Sequence, residues 1–120
     1  MEQDAMGYTV ALGLPELRKR IAGLYGEWYN LDLDPKRVVV TPGSSGAFIL
    51  AFTALFESGD RVAIGAPGYP SYRQILKALA LEPVLVPTLV ENRLQPVSDD
   101  LRGLDLQGLM VASPANPSGT

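Results

Sequence analysis

The sequence predicts an α/β layered fold around a mainly parallel sheet, with right-handed crossovers between its strands. Two observations lead there. Short apolar runs alternate with segments of helical periodicity, and those runs are apolar on both faces and bounded by turn residues, as buried parallel strands are.

From Pro15 the apolar positions Leu17, Ile21, Leu24, Tyr25 and Trp28 recur at helical spacing. Proline suits the first turn of a helix and Glu16 its positive end, so a helix runs from Pro15 to a stop at Asn30. Residues 31–36 read as a polar turn, and the β-branched run Val38-Val39-Val40-Thr41 as the first buried strand. A glycine-serine loop, residues 42–46, leads into residues 47–56, which are apolar nearly all round and read as a buried helix. After the turn at Glu57–Asp60, residues 61–65 read as a second strand, followed by the proline-, glycine- and tyrosine-rich segment 66–72 and a helix through Ile75, Leu76 and Leu79. Glu82 to Pro87 reads as a third strand whose prolines assign it to an edge. Residues 98–104 read as a short helix with Ser98 as its N-cap, and residues 108–112 as a fourth strand before the loop 113–119.

The chain has 120 residues, 47% hydrophobic and 19% charged, which fits one globular domain, residues 1–120, with a single core. Ten basic residues face 13 acidic ones, and the longest basic cluster, Arg18-Lys19-Arg20, sits in a helical pattern, which argues against nucleic acid as a partner. There is no cysteine and no histidine. Disulfides, thiolate metal sites and histidine-based triads are therefore excluded, and no metal is expected. No apolar run approaches the roughly 20 residues of a membrane helix, and residues 1–4 lack the features of a secretory signal, so a cytoplasmic protein without a membrane partner is expected. Both ends read as cut, the second within a loop at Ser118-Gly119-Thr120.

In open α/β sheets ligands bind beyond the carboxyl ends of the strands, which directs attention to the loops after Thr41, Gly65 and Ala112. The first, Gly43-Ser44-Ser45-Gly46, opens a helix. Its glycines let backbone approach a ligand, and its amides and hydroxyls suit a phosphate; a serine cap with glycines for the turn is an equal reading from this loop alone. It has neither the lysine of a P-loop nor the GxGxxG spacing of a dinucleotide site. The second loop sets Tyr69 between Gly68 and Pro70, where its ring either stacks on a planar ligand or closes a turn. The third offers Asn116, either a partner for a ring substituent or part of an Asn-Pro turn. Together the three describe a receptor for a flat, phosphorylated cofactor.

Tyr8 to Gly13 followed by Leu17-Arg18, then Thr41-Pro42-Gly43-Ser44-Ser45-Gly46-Ala47, Pro67-Gly68-Tyr69-Pro70-Ser71-Tyr72 and Ser113-Pro114-Ala115-Asn116-Pro117-Ser118-Gly119 resemble, in that order, successive motifs of the class I/II aminotransferases of fold type I. The resemblance implies a partial large domain of a three-layer α/β/α enzyme using pyridoxal 5'-phosphate to pass an amino group between an amino acid and a 2-oxo acid. It implies that Gly43, Ser44 and Ser45 hold the cofactor phosphate, that Tyr69 stacks on the pyridine ring and that Asn116 bonds its phenolic oxygen. A tyrosine at the place of Tyr8 reaches, in such enzymes, the phosphate site of a second subunit, which implies a homodimer.

The family's chemistry also needs a Schiff-base lysine, an aspartate for the pyridine nitrogen and an arginine for the substrate carboxylate. None of these motifs is present. Lys19, Lys36 and Lys77 lie in helical or turn contexts that read as solvated surface, so no catalytic residue is assigned and the chain alone is expected to be inactive. The family's sheet also places the first strand apart from the others, so the chain alone is expected to be poorly stable or to self-associate. A non-catalytic phosphate-binding α/β module, or a related pyridoxal-phosphate lyase or regulator domain, stands as the alternative.

Overall fold

The computed structural model describes residues 10–120, and Tyr8 lies outside them. The chain divides into two compact units, one running to Gly43 and one from Ser44 onward.

The first unit is built on helix α1, Pro15–Tyr29. Proline occupies its first turn, where a missing N–H costs nothing, and Glu16 lies at its positive end. Asn30 ends it in the left-handed conformation at φ 52°, with its N–H bonded to the Gly26 carbonyl at 3.0 Å. The buried face differs from the expected apolar stripe: Arg18 and Ala22 are buried, whereas Leu17, Tyr25 and Trp28 are exposed. Arg18 sets this choice, because its guanidinium donates to the carbonyls of Val38 at 2.8 Å and Pro35 at 2.9 Å. Charged donors spent on main-chain carbonyls are worth about 1.5–3 kcal/mol each, more than one extra aliphatic contact.

Residues 35–37 form a single 3₁₀ turn, capped by the Asp34 carboxylate accepting from the Lys36 N–H at 2.9 Å. The run 38–41, expected as a strand, forms none. Val38 has extended dihedrals, but the one backbone bond that Val40 donates goes to the Leu12 carbonyl at 3.0 Å. A β-branched run becomes a strand only where a neighbouring strand completes its ladder, and one isolated bond does not.

The second unit contains a three-stranded, wholly parallel sheet in the order β2-β1-β3, with β1 Arg61–Ala66, β2 Glu82–Pro87 and β3 Gly108–Met110. β2, with its two prolines, occupies an edge as expected. Helix α2, Gly43–Leu55, precedes β1, and α3, Pro70–Ala78, crosses from β1 to β2. Val62 and Ile64 alternate onto one face of β1, where they pack against Phe52 of α2, Leu76 of α3 and Leu81; Phe48, Phe56, Ile75, Leu79 and Met110 close the cluster. Leu76, Val62 and Val86 are fully buried, each contributing roughly 1.5–3 kcal/mol.

The all-apolar α2 is less enclosed than its composition predicts. Phe52 is its one buried residue, and Leu50 and Leu55 are exposed. The aromatic stripe Phe48-Phe52-Phe56, spaced at i,i+4, provides the packing face. Ser98–Leu101 forms a 3₁₀ turn rather than a helix to Leu104, and Val97, not Ser98, occupies its N-cap position. The Asp100 carboxylate accepts from the Val97 N–H at 2.9 Å, which satisfies the donor of the residue before the turn. The peptide bonds Ala66–Pro67, Ser113–Pro114 and Asn116–Pro117 are cis. Among the described residues no helix is long and apolar enough to cross a membrane.

Candidate functional site

Of the residues singled out in the second unit, Tyr69 and Asn116 lie in the loops at the carboxyl ends of β1 and β3, whereas Ser44 and Ser45 start α2 and line neither depression described below. β1 exits through Gly65 and Ala66 into the loop that carries Tyr69, and β3 exits through Val111 and Ala112 into the loop that carries Asn116. A narrow cleft lies between the two exits, lined among others by Gly65, Gly68, Tyr72, Gln95 and Asn116. An adjoining depression shares Gly65, Gly68 and Tyr72 and adds Tyr69 and Arg73.

Tyr69 sits at the N-cap position of α3, and Pro70 starts the helix. The residue is 43% exposed, which leaves part of its side chain accessible. Its ring contacts Tyr72, one turn on, in an edge-to-face arrangement with centroids 5.5 Å apart. Tyr72 in turn meets Phe48 of α2 edge to face at 5.1 Å, and Phe48 stacks on Phe52 at 5.7 Å. The exposed ring is thereby braced through successive aromatic contacts to the core, each pair worth about 0.5–1.5 kcal/mol beyond burial.

Two features hold the loop that presents Tyr69. The buried Thr88 donates to the Ala66 carbonyl from both its N–H, at 2.9 Å, and its hydroxyl, at 3.1 Å. Gly68 folds so close to β1 that a Cβ there would lie 2.5 Å from the Gly65 carbonyl oxygen. No larger residue fits without moving backbone.

The glycine-serine loop forms the first turn of α2. Gly43 takes φ +74°, a conformation costly for other residues, and its N–H is engaged by the Thr41 carbonyl at 2.8 Å. Ser44 and Ser45 are exposed, and first-turn N–H groups have no acceptor within their own helix. These two amides lie at the positive end of a 13-residue helix, a setting that favours negative charge. Phe48 lies one turn beyond Ser44 and carries the contact to Tyr72, so helical spacing sets the serine turn on the side of α2 that faces the aromatic loop.

Asn116 is exposed and lines the cleft. Its loop closes on itself: the Ala115 N–H donates to the Thr120 carbonyl at 2.7 Å and the Gly119 N–H to the Ala115 carbonyl at 2.6 Å. Lys77, the one lysine of this unit, is exposed on α3 and lines neither depression. Lys19 and Lys36 are exposed within the first unit. Tyr72, Thr88 and Gln95 were not assigned roles from sequence. Tyr72 was detectable as an aromatic one helical turn after Tyr69, whereas a threonine after a strand and a glutamine in a loop carry no such signal.

The residues present fit a phosphorylated aromatic ring. A supported aromatic face, an amide lining the adjoining cleft and two unengaged helix-terminal N–H groups match a flat π-system, its polar substituent and its phosphate. Residues 1–120 match the family model described as aminotransferase class I and II. The chain is 52% identical over 119 residues to the valine–pyruvate aminotransferase of Mycobacterium tuberculosis, an alignment that covers 98% of this chain and 31% of that protein. A crystal structure of an aminotransferase from Mycobacterium tuberculosis superposes with a TM-score of 0.90 at 51% identity, over 95% of this chain and 32% of that one. A candidate aminotransferase from Silicibacter pomeroyi superposes with a TM-score of 0.87 at 78% identity, over 89% of this chain and 29% of that one. The chain thus spans about a third of the length of the relatives it matches.

Proposed function

The chain belongs to the class I and II aminotransferases, and from that premise we propose that it supplies the phosphate, ring and ring-substituent contacts of a pyridoxal 5'-phosphate site in an enzyme that exchanges an amino group between an amino acid and a 2-oxo acid. The carrying observation is the exposed Tyr69 ring, braced by Tyr72 at 5.5 Å, beside the cleft that Asn116 lines. Pyridoxal phosphate, when bound, supplies the electron sink and the carrier for the amino group.

The chain's own residues bind and orient. Ser44 and Ser45 offer N–H and hydroxyl donors to a phosphate, with the α2 dipole adding to the attraction. Tyr69 gives the ring a flat apolar face. The Asn116 carboxamide donates to a ring oxygen, which favours that oxygen's anionic form and fixes the ring's rotation. No side chain of the second unit is a candidate for covalent attachment, since Lys77 lies outside both depressions. Covalent and proton-moving steps are accordingly assigned to residues other than those of this unit.

The 52% identity to a valine–pyruvate aminotransferase makes valine and pyruvate the first substrate pair to test. A homodimer is proposed with the same support, through family membership. The test is conversion of valine and pyruvate to alanine by the whole natural protein, with and without added pyridoxal phosphate. Cofactor-dependent alanine formation with this or another amino donor supports the reading; a protein that takes up no pyridoxal phosphate and transfers no amino group overturns it.

A further inference from the structure

Gln95 lies in an irregular segment between the 3₁₀ turn at Val90–Asn92 and the one at Ser98–Leu101, remote in sequence from the three loops. Its carboxamide nitrogen donates to the carbonyl of Ala112, at the exit of β3, at 3.0 Å, and to the carbonyl of Thr120 at 3.1 Å. These two carbonyls lie on either side of Asn116 in the chain. The assignment of nitrogen and oxygen in this side chain follows from chemistry: both partners are acceptors, so only the NH₂ group satisfies them.

The backbone is arranged to present this side chain. Arg93 and Leu94, immediately before it, both take φ 55°. Neither is glycine, and left-handed backbone at two successive L residues persists only where the surroundings over-determine it. The turn closes through Arg93 N–H to Val90 carbonyl at 2.9 Å, Leu94 N–H to Leu89 carbonyl at 2.9 Å and Gln95 N–H to Asn92 carbonyl at 3.1 Å. Gln95 and Leu94 then line the same cleft as Asn116.

We propose that Gln95 is a positioning residue for Asn116: by donating to main-chain carbonyls on either side of Asn116 it holds the Asn116 carboxamide at the cleft, and so sets its affinity for the oxygen substituent of a bound ring. The inference rests on the pyridoxal-phosphate reading for its ligand, but not for the clamp itself. A segment closed by its own backbone bonds alone has several accessible conformations, and tying it to one side chain at two points removes most of them.

The test uses the whole natural protein with Gln95→Met, which removes both donors, and Gln95→Glu, which sets an acceptor against two carbonyls. Gln95→Lys, which keeps a donor on a long stem, is the rescue variant. In the cofactor-free protein, amide hydrogen exchange at Ala115 and Gly119, whose N–H groups are bonded within the loop, is expected to accelerate about tenfold or more in the Met and Glu variants and to return toward wild type with Lys. The dissociation constant for pyridoxal phosphate is expected to rise about tenfold in the same two variants, and that rise is expected to vanish in an Asn116→Ala background. Unchanged loop exchange, a Lys variant no better than Met, or effects of Gln95 and Asn116 that simply add would each overturn the proposal. If Asn116→Ala alone leaves the dissociation constant unchanged, the pyridoxal-phosphate reading fails, and loop exchange still decides the clamp.

Discussion

Replacing Gly68 with alanine tests the link between strand β1 and the aromatic loop. The added Cβ would sit 2.5 Å from the Gly65 carbonyl oxygen, whereas ordinary van der Waals contact begins at 3.4 Å, so the loop must open by about 0.9 Å. The obstacle is backbone rather than a flexible side-chain end, and Thr88 pins the adjoining Ala66 carbonyl through two bonds, so the chain has little room to give. Overpacking of this kind costs about 1–3 kcal/mol. Because Tyr69 is the next residue, the same displacement moves its ring off its edge-to-face contact with Tyr72. Losing most of one aromatic pair, about 0.5–1.5 kcal/mol, weakens pyridoxal-phosphate binding roughly two- to tenfold. Urea unfolding and calorimetric titration of the whole natural protein measure the two effects. The control is Gly23→Ala on α1, where the new Cβ meets nothing nearer than the Arg20 guanidinium at 3.9 Å. That exchange is expected to stabilise by about 0.5–1 kcal/mol through helix propensity. A Gly68→Ala protein as stable and as cofactor-avid as wild type would refute the close-approach argument.

Leu76→Ala, at a fully buried position between α3 and β1, is expected to lower urea stability by about 2–5 kcal/mol, and a loss below 1 kcal/mol would show that the cluster is less closed than described. Ser45→Asp places a negative charge where the two free N–H groups invite an anion; pyridoxal phosphate is expected to bind at least about tenfold more weakly while pyridoxal is little affected, and equal losses for both ligands would remove the phosphate assignment. The 120-residue chain expressed by itself is expected to self-associate, because Trp28, Tyr29, Leu50, Leu55 and Val90 are all more than half exposed. A monodisperse, cooperatively melting monomer in analytical ultracentrifugation would contradict that.

Much of this was legible in the residues themselves. Proline at 15 and asparagine at 30 bracket α1 because each carries its own backbone geometry, and the prolines of β2 announced an edge because they lack ladder donors. What periodicity could not supply was the partner of each face. The run 38–41 has strand composition but only one ladder bond, and α1 turns inward on Arg18 because two carbonyls await its guanidinium. The site divides in the same way. Tyr69, Asn116 and the two serines were visible as residues whose chemistry suits a ligand. Tyr72, Thr88 and Gln95, which hold the loops of Tyr69 and Asn116, act through contacts 17 to 25 residues away or across a helical turn, and neither composition nor local spacing encodes such contacts.

The most direct test of the whole account is a crystal structure of the natural protein grown with pyridoxal 5'-phosphate. The account predicts the phosphate within hydrogen-bond distance of the Ser44 and Ser45 amides, the ring against Tyr69 and the Asn116 carboxamide on the ring oxygen. A cofactor bound with its phosphate away from the first turn of α2, or with its ring touching neither Tyr69 nor Asn116, would contradict it.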